Sequence, residues 1–182
     1  RLLKVWSIEV AKNFEPLTYI SYVLLRLDLA VARARYGDFI KGVPPVLDEQ
    51  KDAPFLLKDL RHPLLVWKEQ CEDGDVVTPV SLDITSGLKV IAITGPNTGG
   101  KTVTLKSVGL AVLMARAGLL IPCSDGVNIP WCNQVLADIG DEQSLQQSLS
   151  TFSGHLRRIN NILEALKVNS GTAVVLLDEI GA

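Results

Sequence analysis

The chain has 182 residues, enough for one domain with a hydrophobic core and an additional segment. Hydrophobic residues make up 47% of the chain, yet no stretch is long enough to predict a membrane span. A net charge of −2 excludes a basic, nucleic-acid-binding surface that extends over the whole molecule.

The start of the chain and its cysteines suggest what kind of protein it comes from. The chain begins with Arg1 and its only methionine is Met114, so we expect a segment of a longer protein without a secretory signal. The chain has three cysteines, an odd number, and none of them forms a C-x-x-C pair: Cys71, Cys123 and Cys132. This pattern argues against a disulfide framework or a zinc site, and it favours a reducing compartment.

Residues 1–42 are predicted to be helical. Their apolar residues keep the spacing of one helix face, and Gly42 with the two prolines that follow ends the pattern. Pro16 either kinks one long helix or lies in the first turn of a new one. Such an arm cannot bury its own apolar stripe, so we expect it to pack on other helices or on the domain that follows.

Mixed short elements are predicted after the arm. They are, in order, a polar connection at residues 46–60 that leads into a short strand near Phe55 to Leu57, an extended segment at 61–66, a loop at 69–75, and a strand with one exposed face at 76–84.

A glycine-rich stretch fits G-x-x-x-x-G-K-[ST], the phosphate-binding P-loop. Its glycines allow the backbone to approach a phosphate, its lysine can reach the β- and γ-phosphates of ATP, and its threonine hydroxyl can bind Mg²⁺. The predicted nucleotide-binding residues are Gly95, Pro96, Asn97, Thr98, Gly99, Gly100, Lys101 and Thr102.

The residues on either side of this motif have the expected character. Residues 88–94 are apolar and predict a buried strand, and residues 103–118 predict a helix with Gly118 at its end. The order strand, glycine loop, helix is the one that the motif requires.

The remainder of the chain predicts an alternation of strands and helices. The predicted elements are a short strand at 119–122, a strand at 134–139, a polar loop at 140–149, a helix from Ser150 or Thr151 to about Lys167, a turn at 169–171, and a central parallel strand buried on both faces at 173–177.

Asp178 and Glu179 follow the last strand and form a Walker B pattern with it. The carboxyl ends of parallel strands are where α/β sheets bind ligands. We therefore expect Asp178 to hold Mg²⁺, and Glu179 to act as the general base on the attacking water. The fold class is predicted as α/β: a P-loop NTPase with a mainly parallel sheet.

Four stretches of the sequence resemble the MutS family of ABC-type ATPases. Thr98, residues 138–144 and the histidine–proline pair at 62–63 resemble the family's second branch, the recombination-suppressing paralogues that end in a Smr nuclease domain. The stretches are residues 93–102, 137–144, the Ser-Thr-Phe triplet at 150–152, and 177–182.

The resemblance implies a helical arm at residues 1–45, the end of the family's core and lever helices, and an ATPase domain at 46–182 that stops at Walker B. It also implies a homodimer in which each ATP is closed by a loop of the other subunit. Ser150 and Thr151 match that loop; the alternative is that they only cap a helix. Gln143 lies in a polar loop that either senses nucleotide or is merely solvated.

The sequence departs from the family pattern at one position. MutS proteins often stack an aromatic residue on adenine near the position of Val77, and residues 76–84 contain no aromatic side chain. Trp67 and His62 are interpreted as structural, and His155 as more often facing solvent than taking part in chemistry.

Three functions remain open. The first is an Mg²⁺-dependent ATPase that drives a DNA clamp on mismatched, branched or recombining DNA, or one that acts on stalled ribosomes. The second is a nucleotide-gated dimerisation module with little turnover. The third is another ABC-type ATPase, against which the Ser-Thr-Phe triplet argues.

We expect DNA or ribosome contacts mostly outside this chain, no membrane, and a cytoplasmic or nucleoid location, or an organelle if the source is eukaryotic. Any nuclease lies elsewhere, and these 182 residues alone are expected to aggregate and to hydrolyse little ATP.

Overall fold

The computed structural model describes residues 1–50, 52–72, 74–95, 100–140, 148–168 and 171–179. Within the helix at 148–168, side chains are described from residue 154 onward. The fold is of the α/β class, as predicted, with helices packed against a mixed sheet and a parallel strand pair. Asp178 and Glu179 directly follow one strand of the parallel pair, and Lys101 and Thr102 of the P-loop motif begin the helix beside it.

Two helices form the arm at the start of the chain, α1 (Leu2–Lys12) and α2 (Phe14–Phe39). Pro16 lies in the first turn of α2, where a missing N–H costs no helical bond, so the second of the two predicted arrangements is confirmed. Of the residues in these two helices, only Gly37 is buried, and it packs directly against Leu120. The arm therefore contacts the rest of the chain at its carboxyl end.

A four-stranded mixed sheet follows the arm, in the spatial order β1-β4-β2-β3. β1 pairs in parallel with β4, while β2 is antiparallel to both β3 and β4. β1 and β4 are three-residue strands too short to produce a sequence pattern, and the prediction missed them both. The strands are β1 (Val46–Asp48), β2 (Phe55–Leu60), β3 (Val80–Ile84) and β4 (Asn128–Pro130).

Two parallel strands form a second sheet, β5 (Gln134–Asp138) and β6 (Ala173–Leu177). Their register places Asp138 opposite Leu177, so both strands end at the same edge. The prediction of two strands here is confirmed. The prediction that β6 is a central strand buried on both faces is wrong: among the described residues it pairs only with β5, and Leu176 is its one fully buried residue.

Helix α4 (Lys101–Arg116) packs against both β5 and β6 and fills the core with its small and branched side chains. Gly109 lets the helix approach β6 closely, because a Cβ atom there would lie 2.5 Å from the Cδ1 of Leu176. The helix ends at Arg116, two residues before the predicted end, and Gly118 follows the C-cap with a left-handed φ of 72°. This packing sets the amino-terminal end of α4 beside the carboxyl ends of β5 and β6.

The proline at position 63 begins a helix instead of fixing an extended segment. Helix α3 (Pro63–Cys71) carries Pro63 in its first turn, and His62 directly before it is extended, with a ψ of 119°. A proline restricts only the residue before it to an extended conformation, and the proline itself is favoured in the first turn of a helix. The predicted loop at 69–75 is correspondingly shorter, since α3 continues to Cys71.

The predicted strand before the P-loop is absent from the described structure. Residues 88–94 belong to no strand, and their apolar side chains are substantially exposed, with Val90 at 79%. The segment lies beside a cavity of about 210 Å³ between β3 and β6, where it forms no sheet pairing. An apolar run predicts a buried strand only if neighbouring strands complete it, and here they do not.

Two further boundaries differ from the predicted ones. Residues 119–122 form no strand but a single bridge, in which Val43 pairs with Ile121. Helix α5 (Ser148–Val168) begins before Ser150, so Ser150 and Thr151 lie inside its first turn rather than at a cap. The predicted loop at 140–149 and turn at 169–171 fall mostly on residues outside the described ones.

Candidate functional site

The glycine loop leads into α4 through two backbone conformations that favour glycine. Gly95 has a φ of 150° and Gly100, at the N-cap, a φ of 76°. The N–H and hydroxyl of Thr104 both bond to the carbonyl of Gly100, so the first turn of α4 is formed. Its amino-terminal end carries the partial positive charge that favours a phosphate. Residues 96–99 of the predicted nucleotide loop lie outside the described residues.

The side chain of Lys101 folds back toward Gly95. Its Nζ donates a hydrogen bond of 2.5 Å to the carbonyl of Gly95, six residues earlier. The ammonium thus points back toward Gly95, the first residue of the motif in which such a lysine meets phosphate oxygens.

Thr102 and Asp178 are the residues that connect the two motifs. The Oγ1 of Thr102 donates a hydrogen bond of 2.5 Å to Oδ2 of Asp178, and both residues are half-buried. A hydroxyl oxygen and a carboxylate oxygen are hard ligands that suit Mg²⁺, which takes few protein ligands beside substrate phosphates. The pair therefore fits the predicted magnesium site.

Glu179 lies next to this pair at the end of β6 and is exposed to solvent. Its backbone has a φ of 51°, which is uncommon for a residue with a side chain, and its N–H bonds to Oδ1 of Asp178 at 3.1 Å. The strained backbone is held by the same carboxylate that bonds to Thr102. The carboxylate of Glu179 has no hydrogen bond among those described.

Asp138, at the end of β5, forms a charged cluster that sequence reasoning missed. It is only 2% exposed, and its carboxylate accepts hydrogen bonds from Nδ1 of His155, at 2.8 Å, and from Nε of Arg158. Burial acts to raise the pKa of Asp138, but these two hydrogen bonds hold it below its usual range. His155 therefore faces the protein rather than solvent, which corrects the prediction.

The sequence spacing of His155 and Arg158 could have indicated this cluster. His155 and Arg158 are three positions apart and so share a helix face, and the aspartate ends a predicted strand beside that helix. Ser150 and Thr151 lie about one turn before His155, in the first turn of α5. Gln143 lies outside the described residues.

A cavity of about 530 Å³ opens beside the amino-terminal end of α4. Its described lining includes Val76, Val77 and Thr78, together with Gly100 and Thr104, and contains no phenylalanine, tyrosine or tryptophan. The absence of an aromatic residue near Val77, noted from the sequence, therefore extends to the described wall of the cavity. Trp67 lines a different groove, with Tyr36 and Phe39.

His62 contributes to the wall of the same cavity. Its Nδ1 is buried and has no hydrogen-bond partner among the described residues. Burial and the nearby charge of Lys106 lower its pKa. A neutral imidazole in this position agrees with the structural role predicted for it.

The three cysteines are free, and the described residues contain no group of three or more histidine, cysteine or acidic side chains able to hold a metal. Cys123 and Cys132 are buried, and burial raises the pKa of the Cys123 thiol to about 12. Among the described residues, no helix is both long and apolar enough to cross a membrane.

Comparison with known proteins gives consistent matches. Residues 91–182 match the family model described as MutS domain V. The endonuclease MutS2 of Synechocystis is 48% identical over the whole of this chain, which covers 24% of that protein. The endonuclease MutS2 of Staphylococcus carnosus is 42% identical to the chain, and the putative endonuclease MutS2 of Bacillus subtilis is 44% identical. In both cases the whole chain is matched, and it covers 22% of the relative. The chain thus spans about a quarter of the length of these relatives.

Proposed function

Because the chain belongs to the MutS family and matches its ATPase domain, we propose that the full-length protein binds and hydrolyses ATP with Mg²⁺ at the site described above. One observation carries this proposal: the hydrogen bond between Thr102 and Asp178 brings the two Walker motifs together. No other pair in the chain joins a P-loop hydroxyl to a Walker B carboxylate among the described residues.

Different groups of this chain bind the phosphates, the Mg²⁺ and the nucleoside of ATP. The amino-terminal turn of α4 and the glycine loop hold the phosphates, and Lys101 neutralises their charge. Thr102 and Asp178 hold Mg²⁺, which when bound offsets the charge on the phosphates. The cavity beside Val77 receives the nucleoside; without a stacking aromatic residue, its preference for adenine over other bases is weak.

Glu179 is proposed as the general base. It directly follows the residue that holds the metal, and it is exposed at the edge where the phosphates bind. A carboxylate there can take a proton from a water molecule that attacks the terminal phosphate.

The protein is proposed to act as a homodimer. Ser150 and Thr151, in the first turn of α5, supply hydroxyls to the terminal phosphate held by the other subunit. The amino-terminal end of a 21-residue helix favours an anion at this position through its partial charge.

We propose that ATP turnover drives a DNA clamp on mismatched, branched or recombining DNA, in the cytoplasm or at the nucleoid, through regions mostly outside this chain. Relatives named endonuclease MutS2 support a nucleic-acid target. Nucleic acid that copurifies with the full-length protein tests this. Branched DNA supports the clamp, whereas ribosomal RNA supports the alternative, an ATPase acting on stalled ribosomes.

Single-turnover hydrolysis by the full-length protein tests the enzymatic proposal. Phosphate release from bound ATP within seconds to minutes supports an ATPase that drives a clamp. Tight ATP-dependent dimerisation without phosphate release would instead support a nucleotide-gated dimerisation module.

A further inference from the structure

The carboxylate of Asp138 joins β5 to α5 at two points. One oxygen accepts a hydrogen bond from His155 at 2.8 Å, and the other accepts one from Arg158. The two donors are a turn apart on α5, so together they fix both the position and the rotation of that part of the helix. Asp138 itself is 2% exposed, whereas Arg158 is half-exposed.

The main chain of Asp138 joins the same residue to Walker B. Its carbonyl accepts the N–H of Asp178 at 2.9 Å, which continues the parallel pairing one step past Leu177. Asp178 in turn accepts the hydroxyl of Thr102 at the start of α4. An unbroken chain of hydrogen bonds therefore runs from the P-loop helix through Walker B to α5.

Few of the described side chains of α5 are buried. From residue 154 onward, Ile162 is its only fully buried residue, and Leu156 is 53% exposed. A buried carboxylate that loses its cationic partners is strongly unfavourable, so the pairing with α5 is stable as long as Asp138 is charged. Among the side chains described from residue 154 onward, the contacts with Asp138 therefore anchor this part of α5 to β5.

We propose that Asp138, through His155 and Arg158, is a positioning residue: it holds the first turn of α5, with Ser150 and Thr151, in register with the Walker B edge. The inference rests on the proposed ATPase function. It assigns the cluster a role in turnover and none in nucleotide binding, because Asp138 touches neither the glycine loop nor Lys101 among the described contacts. A displacement of Asp178 is passed along the main chain to α5 and thereby to the other subunit's nucleotide.

The test compares full-length variants for MgATP affinity and for turnover. Asp138→Asn keeps the carbonyl bond to Asp178 but weakens both contacts to α5. Because small misplacements of a reacting group are costly, kcat should fall about 10- to 100-fold, while the Kd for MgATP changes less than about threefold. Arg157→Gln, at the neighbouring exposed arginine outside the cluster, should match the wild type.

Two variants of Arg158 keep the test informative if Asp138→Asn does not fold. Arg158→Lys retains the positive charge and should keep more of kcat than Arg158→Gln, again at unchanged Kd. A kcat within twofold of wild type in both Asp138→Asn and Arg158→Gln would overturn the inference, as would losses of affinity and turnover in equal proportion. If the wild type itself binds MgATP but releases no phosphate, the proposed function fails first, and this role in turnover fails with it.

Discussion

Thr102 and Asp178 are 76 positions apart in the sequence, and a hydrogen bond of 2.5 Å joins their side chains. Two elements bring them together: α4 packs on β6 at Gly109, and β6 pairs in parallel with β5. The glycine is needed because a larger residue would push α4 away from Leu176. The candidate site is therefore a consequence of helix-on-strand packing about two turns below it.

Removal of the Thr102 hydroxyl should weaken binding that depends on Mg²⁺. Thr102→Ala leaves Asp178 without this donor and the metal without one oxygen ligand. We expect MgATP affinity to fall by about 1.5–3 kcal/mol, the scale of a hydrogen bond to a charged group. Thr102→Ser keeps the hydroxyl and is the matched control. Isothermal titration with and without Mg²⁺ measures the effect; equal Kd values for Thr102→Ala and wild type would remove Thr102 from the site.

Glu179→Gln should separate binding from hydrolysis. The amide keeps the shape of the side chain but cannot accept the proton of the attacking water. Phosphate release should fall roughly 10²–10⁴-fold while ATP binding persists, so that trapped ATP holds the dimer closed. Rapid-quench assays together with sizing chromatography report both effects. Normal turnover by this variant would mean that another group is the base.

His62 should make the fold less stable as the pH falls. Burial and Lys106 lower its folded-state pKa below the unfolded value of 6.5, so the unfolded chain takes up the proton first. The unfolding free energy should therefore decrease as the pH falls from 7.5 through 6.5 to 5.5. Urea denaturation at these pH values should show a smaller decrease for His62→Gln, whereas His155→Gln should retain the contribution of His62. An identical pH dependence in wild type and His62→Gln would contradict this account.

Local patterns predicted the helices of the arm, α4, and the strands β5 and β6, because periodicity and long apolar runs are local properties of the sequence. The P-loop and Walker B residues were likewise found from contiguous motifs. The short strands β1 and β4 were missed, since three residues show no periodicity. The helical start at Pro63 was missed because a proline suits both an extended segment and a first helical turn.

Features that depend on distant partners were not predicted. The apolar residues at 88–94 indicated a buried strand, but whether a strand forms depends on neighbours elsewhere in the chain. Asp138 is 17 positions from His155 and 20 from Arg158, and these residues meet because α5 packs beside β5 in the folded chain. The burial of Asp138, which gives the cluster its significance, is likewise a tertiary property.

Nucleotide binding through Lys101 tests the central claim most directly. Calorimetric titration of the full-length protein with MgATP should give saturable binding in the wild type. Lys101→Ala, which removes the ammonium that bonds to the carbonyl of Gly95, should bind more weakly by on the order of 2–3 kcal/mol. Lys106→Ala, one turn further along the same helix, should change the affinity little. Equal affinity in wild type and Lys101→Ala would contradict the assignment of this loop and its helix as the nucleotide site.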